Sequence, residues 1–251
     1  RHIALRKLFS FCDAFLYCGK LNREYFVHFG VEENSLFYCP HAVDNARFQK
    51  NGASLSRKAD EWRRELGIEE NKKVVLFVGK FEPKKRPQDL LAAFCAAACP
   101  NSVLIFVGEG MLKDGLIRRA SESKQKIIFL PFQNQLQMPL VYRLGDIFVL
   151  PSSENETWGL AVNEAMNCGL PVIVSDQVGC APDLIENGVN GWVIPVTQSS
   201  KLADCIRLAL APSTSLKEMG KRARGVISRW NVEAKCTGFL NACRFLKDKD
   251  A

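Results

Sequence analysis

In the 251-residue sequence, six short apolar runs, at 73–79, 102–108, 126–130, 146–150, 171–175 and 191–195, alternate with segments of helical spacing at 87–98, 110–121, 135–144, 160–168 and 200–210. Strand then helix, repeated, predicts an α/β chain with a doubly wound parallel sheet. Such sheets bind ligands beyond the carboxyl ends of their strands, where loops lead into helix N-termini. The loops after Val78, Val107, Leu130 and Leu150 are therefore the places to look for chemistry.

The first 48 residues do not fit this repeat. The stretches "DAFLYCG", "NREYFVHFG" and "LFYCP" read as strand, helix and strand, followed by "HAVDNARF" and a polar linker to about Ser56. This is too little for a domain, and it reads as the remnant of a preceding one. The expected division is 1–48, a sheet domain over 49–228, and a C-terminal helix over 229–251.

Composition bounds the class. With 47% apolar and 24% charged residues the chain can bury a sizeable core, and no apolar run nears the ~18 residues that span a bilayer. A cytoplasmic protein is expected. The ten cysteines form no C-x-x-C pair and read as reduced, mostly core thiols; Cys95 and Cys99 share a helix face, but in a packed apolar setting that argues against metal. The net charge of +7 is concentrated in "GKFEPKKRP" and "LKEMGKRARGVISR" and points to anionic partners. The second cluster reads as a solvated helix face, with contact to a lipid surface or to an acidic partner as the alternative. No nucleic-acid-binding motif accompanies the charge, so nucleic acid is not an expected partner.

Lys80 and Lys85 lie in the loop after "VVLFVG", ahead of the helix that Pro87 starts, where two cations suit a pyrophosphate or else form an exposed basic loop. Gly108 and Gly110 fall short of a dinucleotide fingerprint, since the third glycine position is Lys113, and read as a tight turn. The stretch "SSENETWGLAVNEAMNCGLPVIVSD" sets Glu156 in a loop at the crest of the sheet. Gly159 allows close backbone approach, the free amides of Leu160 and Ala161 open a helix, and Glu164 lies one turn in. A glutamate there either faces the same ligand or compensates the helix dipole at the surface.

"ETWGLAVNEAMNCGLPVIVS" resembles the E-x7-E block of retaining GT-B glycosyltransferases of family 4. "FVGKFEPKKRP" is similar to their phosphate loop, "FVGEG" to their middle strand, "PHAVDNARF" to their interdomain junction and "WNVEAKCTGFLNACRFL" to their C-terminal helix. The resemblance implies a Rossmann-like, C-terminal donor half of a GT-B fold. It implies that Lys80, Lys85 and Gly79 meet the diphosphate with the amides of Leu160 and Ala161, and that Glu164 accepts the ribose hydroxyls. Glu156, with the backbone of Trp158 and Gly159, would face the sugar; Pro131 and Phe132 would meet the base. Glu156 and Lys85 are the implied catalytic pair. A UDP- or GDP-sugar is the implied donor, a glycan, lipid-linked or small-molecule compound the acceptor, and no metal or other cofactor is implied. The N-terminal domain, in cis or on a partner chain, is expected to complete the site. Two positions depart from the family: Lys80 stands where Arg is common and Asp183 where Glu is common. The alternatives sharing these residues are a non-catalytic nucleotide-sugar-binding subunit and, further off, a sugar-nucleotide epimerase.

Overall fold

A computed structural model describes residues 2–154, 156–196 and 198–249; Asn155, inside the loop quoted above, lies outside the described residues. In chain order the elements are α1 (His2–Phe9), β1 (Phe15–Tyr17), α2 (Lys20–His28), β2 (Leu36–Tyr38), α3 (Asn45–Gln49), α4 (Gly52–Glu65), β3 (Lys73–Val78), α5 (Pro87–Ala97), β4 (Ser102–Val107), α6 (Lys113–Ser121) and β5 (Lys126–Leu130). There follow α7 (Met138–Tyr142), β6 (Ile147–Leu150), α8 (Leu160–Asn167), β7 (Val172–Ser175), α9 (Ala181–Leu184), β8 (Gly191–Ile194), α10 (Ser199–Leu210), α11 (Leu216–Ile227) and α12 (Val232–Lys249).

Two compact units result. One is continuous, from Asn45 to Ile227; the other combines the chain up to Asp44 with the chain from Ser228 onward. In the second of these units α12 groups with the N-terminal segment. The reason lies at Gly238, where a Cβ would fall 1.8 Å from the carbonyl oxygen of Tyr38. Only a glycine lets the helix rest on the β2 backbone, and Phe245 then packs on Phe37 with ring centroids 5.2 Å apart. In this unit β1 and β2 pair in parallel from Phe15↔Leu36 to Tyr17↔Tyr38.

The continuous unit holds the six-stranded parallel sheet, in the order β5-β4-β3-β6-β7-β8. The inner strands β3, β4, β6 and β7 are rich in Val, Ile, Leu and Phe because they are covered on both faces; β4 is buried at every position. The winding starts at β3, proceeds outward through β4 and β5, then crosses back to β6 on the other side. The order therefore reverses between β3 and β6, the topological switch point of a Rossmann-like sheet. This is the α/β class read from the sequence.

Three expectations need correction. The polar linker to Ser56 is helical from Gly52: Gly52, Leu55, Ala59, Trp62 and Leu66 recur at three- and four-residue steps and turn inward, while the charged residues between them, Arg63 apart, face water. The helices expected to start at 110 and 135 begin at Lys113 and Met138, the residues before them forming crest loops. The cysteines are free thiols, yet Cys168, Cys180 and Cys205 alone are buried. Cys12, Cys236 and Cys243 sit on exposed surfaces of the other unit.

Candidate functional site

The loop after β3 is pinned from below. Phe81 is fully buried, its ring 6.0–6.3 Å from those of Phe77, Phe106 and Phe129. Burial of one such side chain contributes about 1.5–3 kcal/mol, enough to hold the loop down and leave Lys80 beside it in solvent. A single 3-10 turn, Pro83–Lys85, then brings Lys85 round before Pro87 opens α5. Gly108 and Gly110 serve this loop. A Cβ on Gly108 would lie 2.0 Å from the carbonyl oxygen of Gly79, and one on Gly110 2.5 Å from that of Phe81. The glycines let two crest loops touch.

The loop after β6 meets the first loop directly. The amide of Ser153 donates to the carbonyl of Lys84 at 2.8 Å. On its other side, the amides of Gly179 and Cys180 donate to the carbonyls of Glu156 and Trp158, at 2.9 and 3.0 Å. Trp158 is buried and its indole Nε1 donates to Asn163 Oδ1 at 2.9 Å, so its ring is core packing and its backbone alone belongs to the crest. Gly159 adopts φ 93°, a left-handed turn that a side chain resists, and α8 begins at Leu160. The first amides of that helix, on Leu160 and Ala161, precede its intrahelical bonds and carry the positive end of its dipole.

Between the loops, Lys85 Nζ donates to Glu156 Oε2 at 2.5 Å, with the side chains 17% and 10% exposed. The sequence reading treated these residues as facing different parts of a ligand; here they face each other. A sheltered pair of this kind is screened little by salt, but both partners have given up water, so it adds little net stability. Lys80 has no side-chain partner among the described residues.

Glu164 lies one turn into α8, half-buried, and accepts a hydrogen bond on Oε2 from the Tyr142 hydroxyl at 2.7 Å. Burial raises its carboxyl above the usual carboxylate range, opposed by that hydrogen bond and by the charge of Arg47. Tyr142 is itself pushed well above the ordinary phenol range, first by burial and then by the Glu164 charge. Arg47 also donates to Gln135 Oε1 at 2.8 Å, in the loop after β5. Pro131 and Phe132 head that loop and are exposed, Phe132 at 72%. Arg47 is thus bonded to the loop expected to meet the base, and its charge acts on the carboxylate expected to meet the ribose. Sequence reasoning missed Tyr142, Arg47 and Gln135. Tyr142 sits in "MPLVYRLG", which reads as core, and Arg47 in a stretch that reads only as a junction.

A well-formed pocket of the sheet unit lies elsewhere. It encloses 650 Å³ around Lys73, Arg63, Asp146 and Leu170, where β3, β6 and β7 begin. Arg63 is spent there on the Leu144 carbonyl and on Asp146, at 2.7–2.9 Å. The carboxyl ends of the strands carry the helix N-terminus and the exposed cation, and so remain the candidate site.

A family model described as "Glycosyl transferases group 1" matches residues 58–226. A D-inositol 3-phosphate glycosyltransferase from Mycolicibacterium vanbaalenii is 33% identical over 220 residues, covering 80% of this chain and 46% of that protein. Spore coat protein SA from Bacillus subtilis is 31% identical over 179 residues, covering 67% and 47%. The chain thus spans about half the length of the curated relatives it matches. Among solved structures, Anabaena HepE in complex with UDP and glucose superposes with TM-score 0.76 over 94% of this chain and 64% of that one, at 21% identity. Sucrose-phosphate synthase from Thermosynechococcus elongatus gives 0.80 over 99% and 62%, at 22% identity. At these identities the likeness is one of fold, and it agrees with the GT-B resemblance.

Proposed function

This chain is a member of the glycosyl transferases group 1 family, and we propose that its sheet unit is the donor-binding half of a retaining enzyme that moves a sugar from a nucleotide-sugar to an acceptor. The observation that carries this reading is the Lys85–Glu156 ion pair at the switch point of the sheet. When a nucleoside diphosphate arrives, Lys85 exchanges its carboxylate for the diphosphate oxygens, and Lys80, exposed at the other end of the loop, adds a second cation. The exchange frees Glu156 for the sugar hydroxyls, so diphosphate recognition and sugar recognition become one event.

As the glycosidic bond to the diphosphate breaks, negative charge grows on the leaving oxygens beside Lys80, Lys85 and the amides of Leu160 and Ala161. The sugar passes through an oxocarbenium-like state that Glu156, next to it, helps to orient. The lysines supply the positive charge, and no metal is assigned to the step. Glu164 accepts the ribose hydroxyls and the backbone at Pro131 and Phe132 meets the base. The HepE complex with UDP and glucose supports a uridine nucleotide among the UDP- and GDP-sugar donors.

The acceptor, a glycan, lipid-linked or small-molecule compound, is assigned to an N-terminal domain in cis or on a partner chain. On that assignment the 251-residue chain binds donor without turnover. The exposed cations of α11, Lys217, Lys221, Arg222 and Arg224, support work at the cytoplasmic face of an anionic membrane.

Calorimetry with UDP, GDP and the corresponding monophosphates tests the reading. Native chain is expected to prefer a diphosphate, and Lys85→Ala to remove about 1.5–3 kcal/mol of that preference. A variant that loses monophosphate and diphosphate affinity equally would remove Lys85 from the diphosphate site.

A further inference from the structure

Glu164 is held by one oxygen only. Its Oε2 accepts from Tyr142, while Oε1 has no hydrogen-bond partner among the described residues. Tyr142 ends α7, is fully buried, and meets the rings of Phe48 and Phe148 edge-on with centroids 6.1 and 5.7 Å away. A fully buried ring held by two aromatic neighbours has no room to swing. The hydroxyl is therefore the fixed member of the pair, and the flexible glutamate is oriented by it. As a partner for a core tyrosine, a neutral carbonyl or amide oxygen would serve without placing a charge in a half-buried position. The carboxylate is the costlier choice, and it makes sense only if its second oxygen has a use.

We propose that Tyr142 is a positioning residue for the donor: its hydroxyl fixes the Glu164 carboxylate so that Oε1 is presented as the acceptor for the vicinal ribose hydroxyls. The proposal rests on the donor-binding reading above and adds to it the element that orients the acceptor. Because the glutamate rotamer is already chosen before ligand arrives, a ribose meets an ordered acceptor rather than one it must order itself. The effect belongs to the ribose alone; the lysines that hold the diphosphate stand on a different loop and do not touch this pair.

The experiment compares UDP with 2′-deoxy-UDP and with UMP by calorimetry, and GDP with its own deoxy and monophosphate analogues, in native chain, Tyr142→Phe and Glu164→Ala. Native chain is expected to favour the ribonucleotide about tenfold, the scale of one hydrogen bond to a charged group. Tyr142→Phe should cut that preference to about threefold or less, and leave the diphosphate-over-monophosphate ratio unchanged. A Tyr142→Phe chain that keeps the full ribose preference, or that weakens ribo- and deoxynucleotide in equal proportion, overturns the positioning role while leaving the donor site standing. Absence of any ribose preference in native chain, or one that survives Glu164→Ala, removes the donor reading and the role of Tyr142 with it. Should Tyr142→Phe fail to fold, native chain labelled with 3-fluorotyrosine carries the test. Of its four tyrosines, the one assigned to Tyr142 by Phe replacement of the others should shift with UDP and not with 2′-deoxy-UDP. Equal shifts with both would overturn the proposal.

Discussion

Glu164, proposed to meet the donor ribose, is placed against the interest of the fold. Burial raises its carboxyl above the ordinary value of 4.5 more than Tyr142 and Arg47 lower it, so the folded chain holds that proton more tightly than the unfolded one. The stability this group contributes is complete below 4.5 and declines as pH rises through the raised folded value. Glu164→Gln, which cannot ionise, should therefore melt higher relative to native chain at pH 7 than at pH 4, as read by thermal unfolding at both pH values. A difference that stays constant, or grows toward acid, would show that burial is not what shifts the group. Residue identity alone did not reveal this. The E-x7-E spacing and the two lysines pointed to the crest, but Lys85 closing on Glu156 depends on a 3-10 turn, and the hydroxyl under Glu164 comes from an apolar segment with nothing to mark it. Nor does the sequence mark the Trp158 ring as core: its burial rests on Asn163, five residues on, which accepts from the indole.

At the scale of elements, the strands were legible to within a residue or two because each is an apolar run bounded by polar residues. Helices were legible where the face was strongly apolar, as in α5, and not in α4, whose inward face is built largely from Gly52, Leu55, Ala59, Trp62 and Leu66 among charges. Loop-to-loop contacts left no pattern at all, yet they set the site. Gly179 is the case in point: a Cβ there would fall 2.0 Å from the carbonyl oxygen of Thr157, at the seam that carries Glu156. Gly179→Ala must part the two loops. It should cost about 1–3 kcal/mol of stability as an overpacking change, and it should weaken binding of UDP-sugar more than binding of UDP, because the displaced segment carries Glu156, the residue proposed to face the sugar. Equal weakening of both ligands would argue that the seam supports the diphosphate site instead.

For the whole molecule, every residue assigned to the donor, from Gly79 to Glu164, falls in the continuous unit Asn45–Ile227. That segment expressed alone should bind UDP within about threefold of the full chain by calorimetry, as a unit with its own core and sheet would. A loss beyond about tenfold would mean that the flanking segments shape the site. The same unit has one more property. The side-chain amide of Asn45, its first residue, donates to the carbonyl of Ile227, its last, at 3.3 Å. Entry and exit therefore coincide at a single point. A segment of this kind has no preferred beginning: its ends can be ligated into a ring and the chain reopened at an exposed turn without altering a strand or a crossover. It can also be carried as a cassette within another protein, because a host loop need open only by about the reach of an asparagine side chain and one hydrogen bond to admit it.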